Sequence, residues 1–537
     1  MIETPVLIAG GGPVGLTASI LLSQHGIASL LVERHPGTAI LPKARGINAR
    51  TMEMYRQIGV EADIRAAGLP PERTGLIVWT ESLAGREIER RVPGRADPRN
   101  IGHSPVRNCL CAQDDLEPVL RRHAEAAGPG MLRFGTELTG VSYGPEGVSG
   151  TLTDRASGAE IPVRARILIS AEGAQSGLRH AIGARMVGRE RVYDSVNILI
   201  RADLRPWTTH RPAALYFVEQ RDLRGTFMTI NMHDRWGFLI HSLTAYGMKP
   251  EDLTPERCAA FIRQAVGVPD LPVEVKGVSV WQASAIVADR YRDGPVFLAG
   301  DAAHEMPPTG GFGLNTGVQD AQNLCWKLAA VLRGQADAAL LDSYHAERQP
   351  LATMITEAAL LNATSMGRET RQEGAVLPRR EFLNEQGLIF GATYRSAAIV
   401  PDGTDPPAPA DPVTEYIPSA TPGRRAPHVP LTRGGAAIST IDLLGRGFVL
   451  LAGSAGGAWV EAAARIATPT RPGVVPHRIG GDLVDTGGGF HAAYGIGPAG
   501  AVLVRPDGHV GWRSADGAAD ATGALVGAMD RILGRAA

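Results

Sequence analysis

The first thirty-three residues constrain the fold more than any other part of the 537-residue chain. Val6-Leu7-Ile8-Ala9 is an apolar run long enough for one buried strand. Gly10-Gly11-Gly12-Pro13-Val14-Gly15 follows at once. The spacing predicts a helix from about Pro13, since proline is tolerated in a first turn. Leu16, Ile20 and Leu21 are its apolar positions and Gly26 its stop. Ser29-Leu30-Leu31-Val32 then reads as a second strand ending in Glu33. In this order each part has a physical role. Gly10 permits the tight turn, Gly12 lets a pyrophosphate approach the backbone, and Gly15 lets helix and strand pack closely. The helix N-terminus offers free N–H groups to phosphate. Glu33 suits ribose hydroxyls and opposes a 2′-phosphate, so the nucleotide is expected to be FAD or NAD rather than NADP.

The chain carries its own control. Gly495-Ile496-Gly497-Pro498-Ala499-Gly500 fits the same glycine pattern but precedes the strand Ala501-Val502-Leu503-Val504, with no helix behind it, and reads as a turn. Composition narrows the class further. A formal net charge of −1 argues against a broad nucleic-acid surface, and no apolar run approaches a membrane span. Met1-Ile2-Glu3-Thr4 lacks the features of a secretory signal. Four cysteines, Cys109, Cys111, Cys258 and Cys325, form neither a disulfide framework nor a Cys-x-x-Cys metal motif, so no metal is expected. A soluble, cytoplasmic protein, monomer or homodimer, is the expectation.

A second constellation separates FAD from NAD. Pro295-Val296-Phe297-Leu298-Ala299-Gly300 is strand-like and ends in Asp301. The loop Ala302–Gly313 contains His304, Pro307, Pro308, Gly310 and Gly311, and a helical pattern runs from about Leu314 to Leu332. An acid at a strand end can bind the ribityl chain of an FAD lying across both units. The glycine loop and helix N-terminus can then face the isoalloxazine pyrimidine edge, where charge accumulates on reduction. His304 reads as a structural residue of that loop.

At these residues the chain resembles the class A FAD-dependent aromatic monooxygenases, the family of para-hydroxybenzoate hydroxylase and phenol hydroxylase. Gly300-Asp301-Ala302-Ala303-His304, Pro307-Pro308, Gly310-Gly311, Gly313, Asn315 and the stretch Asp320–Leu328 carry the likeness. Arg45 matches the family arginine near the FAD pyrophosphate, and Gln113 a glutamine that contacts the cofactor. The resemblance implies an FAD site of Gly10, Gly12, Pro13, Gly15, Glu33, Arg34, Arg45, Gln113, Asp301, Pro308, Gly311, Gly313, Leu314 and Asn315. One motif departs: where the family has Asp-Gly, this chain has Glu172-Gly173, followed by Ser176 and Arg179.

The implied fold is α/β: a Rossmann-like FAD-binding domain in two pieces, 1–180 and 282–365, with an interleaved β-sheet substrate domain at 181–281. A helical segment and linker, 366–412, and a C-terminal thioredoxin-like domain, 413–537, complete it. No cysteine follows Cys325, so that last domain cannot do thiol chemistry. Aromatic residues gather in the middle, among them Tyr216, Phe217, Phe238, Tyr246 and Trp281. Tyr216, Phe238 and Pro307 are taken as substrate-contact candidates, and Tyr394 and Arg395 as candidates for a catalytic base.

The likeness is greatest to polyketide-tailoring hydroxylases. It implies NADPH or NADH as reductant and dioxygen added at flavin C4a as a hydroperoxide. The substrate implied is a polycyclic aromatic polyketide that takes up one oxygen, as in antibiotic biosynthesis. Baeyer–Villiger insertion or oxidative ring rearrangement on a related polyketide is the alternative.

Overall fold

The computed structural model describes residues 1–241, 243, 247–365 and 384–535. Tyr246 and the first part of the expected helical segment at 366–412 lie outside them.

The N-terminal unit is built as its pattern requires. Strand β1 (Ile2–Ala9) leads through the glycine turn into helix α1 (Pro13–Gln24), and β2 (Ser29–Glu33) returns beside β1 in parallel. β3 (Glu160–Ser170) pairs with the other side of β1, also in parallel, and β4 (Val296–Leu298) pairs in parallel with β3. The order β4–β3–β1–β2 is continued by Met131–Phe134. Because these strands are parallel, the turns that follow β1, β2, β3 and β4 leave the sheet at one edge. Parallel pairing therefore brings Gly10, Glu33, Glu172 and Asp301 to a single rim, although they are far apart in sequence.

Helix α2 (Phe312–Leu332) follows that rim and is buried almost all round. One side lies against α1. On another, Trp326 and Ala330 join Phe448, Leu450, Leu503 and Met529 in the core of the C-terminal domain. A helix buried on nearly every side must find packing partners for its apolar residues and polar partners for Asp320, Asn323 and Lys327, and α2 is the element around which the other layers assemble.

The second sheet has eight strands. Its long antiparallel pair, Met186–Arg201 with Glu274–Ala288, is extended by Arg235–His241, Arg224–Thr229 and Leu215–Glu219. Ile77–Thr80 and Glu87–Arg91 complete that edge, so this sheet draws strands from outside the 181–281 span. One face packs on the helix Pro255–Val266, and the other faces the rim of the first sheet.

The C-terminal domain has a four-stranded mixed sheet. Phe448–Ala452 and Val474–Arg478 are parallel and joined through the helix Gly457–Arg465. Ala501–Val504 and Val510–Ser514 add antiparallel strands, and the helix Ala521–Ile532 closes the unit. This β-α-β, β-β-α order is the thioredoxin-like arrangement. The second glycine pattern sits here as a turn: Gly495 ends the helix Phe490–Tyr494 in a left-handed conformation before the strand at Ala501. Among the described residues no helix is long and apolar enough to cross a membrane.

Candidate active site

One continuous cavity of about 1560 Å³ runs from the β1–α1 turn to the inner face of the eight-stranded sheet. It exceeds the roughly 300–1,000 Å³ that holds one drug-sized ligand. It has room for a long dinucleotide and a second molecule.

The phosphate end is made by backbone. Gly12 caps α1 with no side-chain hydrogen bond, and Pro13 at the first helical position leaves the N-terminal N–H groups facing outward. A Cβ on Gly12 would meet nothing closer than Glu117 Oε1 at 4.0 Å; it would point into open cavity. A Cβ on Gly10 would lie 2.2 Å from the Ala171 carbonyl oxygen, and one on Gly15 2.0 Å from that of Gly10. The two outer glycines thus seat the turn on its neighbours, while the middle one leaves space for a ligand. Glu33 accepts from the Gly11 N–H at 2.7 Å and the His35 N–H at 2.8 Å, which fixes its carboxylate at the end of β2. Arg34 lines the cavity beside it. Gln113 accepts from the Ala44 N–H and donates to Glu117 at 2.7 Å. Burial pushes the Glu117 carboxyl up, although the Ala39 N–H and Gln113 oppose it.

The middle of the cavity is framed by Asp301, Pro308, Gly311, Gly313, Leu314 and Asn315. Gly311 has φ 68° and caps α2 without a side-chain bond, so a second uncapped helix N-terminus faces the same space. Asn315 fastens it: its side chain accepts from the Asn48 N–H at 2.9 Å and donates to the Gly46 carbonyl at 2.8 Å. Asp301 is open to the cavity, and the protein crowded around it pushes its carboxyl up, with His304 and Lys43 pulling the other way. The loop carrying Asp301 is anchored beneath by Asp320. Its carboxylate accepts from the Gly300 N–H at 3.1 Å and bonds His304 Nε2 at 2.8 Å and Arg348 Nε at 2.7 Å, all buried. His304 is thus a structural residue.

Glu172 keeps a defined role despite its extra methylene. Its Oε2 accepts from Ser176 Oγ at 2.7 Å and the Leu178 N–H at 3.1 Å. Arg179 donates to the carbonyls of Ala174 and Ala302 and ties that turn to the Asp301 loop. Arg45 lines the cavity, but its guanidinium reaches across to the second sheet and donates to the Thr229 and Ala214 carbonyls at 3.0 and 2.7 Å. Burial, and then the nearby Arg95, push it down to about 9.

The far wall corrects the expected substrate contacts. Tyr216 and Phe238 are fully buried on the opposite face of the sheet. Tyr216 is held by the Arg211 carbonyl and the Ala213 N–H, and Phe238 packs on Phe227. Their strand neighbours Phe217 and Leu239 face the cavity instead, with Leu215, Thr226, Met228 and Trp281. Successive strand residues point to opposite faces, so an error of one position moves a side chain from wall to core. Pro307 is also buried away from the cavity, and only Pro308 of the pair lines it.

Tyr394 and Arg395 are corrected too. Tyr394 is buried at the boundary with the C-terminal domain, where its hydroxyl accepts from Arg348 at 2.9 Å and its ring stacks on His509. Burial pushes its phenol up. Arg395 is exposed, and neither residue lines the cavity. No group of three or more metal-ligating side chains occurs among the described residues.

Comparison with known proteins agrees with this architecture. A family model described as FAD binding domain matches residues 3–359, and one described as aromatic-ring hydroxylase, C-terminal, matches residues 419–536. The chain is 39% identical to tetracenomycin A2 monooxygenase-dioxygenase of Streptomyces glaucescens, over 99% of this chain and 97% of that protein. Two solved structures cover 100% of both chains at 35% identity. They are the flavin-dependent monooxygenase PieE with FAD and substrate, TM-score 0.91, and aklavinone-11 hydroxylase with FAD and aklavinone, TM-score 0.90. The fold, the cavity and these matches together make the chain a member of the FAD-dependent aromatic-ring monooxygenases.

Proposed function

We propose that this enzyme hydroxylates a polycyclic aromatic polyketide with NADPH or NADH and dioxygen. The observation that carries the reading is the single cavity, which joins two uncapped helix N-termini and two acidic strand ends to an uncharged sheet wall. Gly12 and the N-terminus of α1 would hold the FAD pyrophosphate, and Glu33 a ribose. Asp301 would hold the ribityl hydroxyls, and Gly311–Asn315 the pyrimidine edge. Bound FAD supplies hydride acceptance from the nicotinamide and activation of dioxygen. The chain's own residues bind, orient and exclude water. The α2 N-terminus favours negative charge at the pyrimidine edge. Phe217, Leu239, Leu215 and Met228 give a flat aromatic molecule an apolar wall. The names of the relatives, a tetracenomycin oxygenase and an aklavinone hydroxylase, support a polycyclic substrate.

The test is anaerobic reduction of the holoenzyme by NADPH with and without anthracycline-type phenols, followed by aerobic turnover and product NMR. Faster flavin reduction with one phenol and a new ring hydroxyl are the expected results. A ring-expanded ester in the product spectrum would replace hydroxylation by Baeyer–Villiger insertion. Reduction indifferent to every phenol would overturn the substrate class.

A further inference from the structure

The sheet wall presents Asn197, Leu199, Phe217, Thr226, Met228 and Trp281 to the cavity, none of them charged. Charge enters the cavity from other segments. Arg95, in the short turn Gly94–Ala96, lines the cavity and forms no hydrogen bond or ion pair with any described residue. Glu385 is the acid whose field reaches it, but enclosure outweighs that field and holds Arg95 below the usual arginine range. Arg45 stands close enough to feel Arg95, and its own hydrogen bonds go only to neutral carbonyls. Arg45 and Arg95, both half-buried, therefore line one cavity with no carboxylate paired to either.

A cation partly withdrawn from water and left without a partner is costly. A guanidinium is also a rigid fork of donors that fits a planar oxyanion. We infer that Arg95 is a specificity-determining residue that takes an ionised oxygen, phenolate or carboxylate, on the aromatic substrate, with Arg45 adding to the same positive field. This names the chemistry of the substrate proposed above and rests on that reading. A phosphate of the nicotinamide cofactor or of FAD offers related oxyanion chemistry, so the test separates these sources.

Holoenzyme is titrated with anthraquinone-2-carboxylate and with anthraquinone-2-carboxamide, its uncharged near-isostere. Binding is read from the perturbed visible absorbance of the bound flavin. FAD content and the KM for NADPH are read separately. The wild type should prefer the carboxylate by on the order of ten- to a hundredfold, the weight of a charge-assisted hydrogen bond. Arg95→Gln should erase the preference and Arg95→Lys should keep part of it. The glutamine variant orphans no partner, and its melting temperature checks that it folds. Equal wild-type affinity for the two probes overturns the charge inference while the polycyclic reading stands. A preference undiminished in Arg95→Gln overturns the role of Arg95. Lost FAD content or a raised KM for NADPH with the preference intact assigns the cation to a cofactor phosphate, and also overturns it. If neither probe binds, the polycyclic aromatic reading itself fails.

Discussion

Gly12 and Gly15 stand three positions apart in one turn and are glycines for different reasons. A Cβ at Gly15 would collide with the carbonyl of Gly10, a backbone atom that cannot step aside. A Cβ at Gly12 would enter empty cavity. The two substitutions should therefore separate folding from cofactor binding. Gly12→Val should change the melting of the FAD-free protein by no more than about 0.5 kcal/mol equivalent. It should weaken FAD binding by at least about tenfold, because its branches would fill the pyrophosphate position. Gly15→Ala should lower the melting temperature of the FAD-free protein itself. Thermal melts with and without added FAD check both, and similar curves for the two variants would contradict the assignment. The tight packing at Gly15 and the open space at Gly12 were legible in the sequence because turn chemistry is local. Tyr394 was not, because its surroundings are set by Arg348 and His509, which reach it only through tertiary packing.

Strands were legible as elements, but the face each side chain takes was not. Leu215–Glu219 and Arg235–His241 are apolar on both faces, since one covers the helix Pro255–Val266 and the other lines the cavity. Alternation of apolar with polar residues cannot choose a face when both are dry. The choice was made by packing, which put Tyr216 and Phe238 in the core and Phe217 and Leu239 in the wall. Substitutions on the two faces should then behave as opposites. Phe238 packs tightly on Phe227 and over Gly225, so Phe238→Ala should cost about 3–5 kcal/mol of stability. Met228→Ala should lose a small fraction of that and raise the KM for the aromatic substrate while FAD stays bound. Melting curves and steady-state kinetics on the pair check this. A stable Phe238→Ala enzyme with a raised KM would return Phe238 to the substrate wall.

At the scale of the whole molecule, the C-terminal domain is joined to the FAD-binding unit by buried charge. Arg505 makes two hydrogen bonds to Glu347, at 2.6 and 2.8 Å, and also pairs with Asp507; Lys327 of α2 reaches Glu347 at 2.8 Å. Nearby, Arg50 and Arg425 share the Glu53 carboxylate, which also accepts from Ser104 on the cavity wall. The absence of cysteine after Cys325 showed what this domain cannot do. Its attachment could not be read, because Glu347 and Arg505 are 158 positions apart and nothing local pairs them. Burial alone would raise the Glu347 carboxyl, but Arg505 and Lys327 reverse this and hold it far below the carboxylate range; Arg505 and His509 do the same for Asp507. Unfolded, these groups titrate near about 4.3 and 3.9. Their contribution is therefore fully present above that range and is lost as pH falls through the lower folded values. The melting temperature should fall steeply once pH drops below about 4. Glu347→Gln leaves Arg505 and Lys327 without their shared carboxylate, which should cost about 3–5 kcal/mol at pH 7. The same variant should show a shallower acid slope, because one of the titrating groups is gone. Calorimetric melts of both proteins from pH 3 to pH 8 on the order of half a unit apart decide it. If Glu347→Gln melted with the wild type at pH 7, the buried pairs would be a cost offset elsewhere, and apolar packing of Trp326 against Phe448 would be what holds the two domains together.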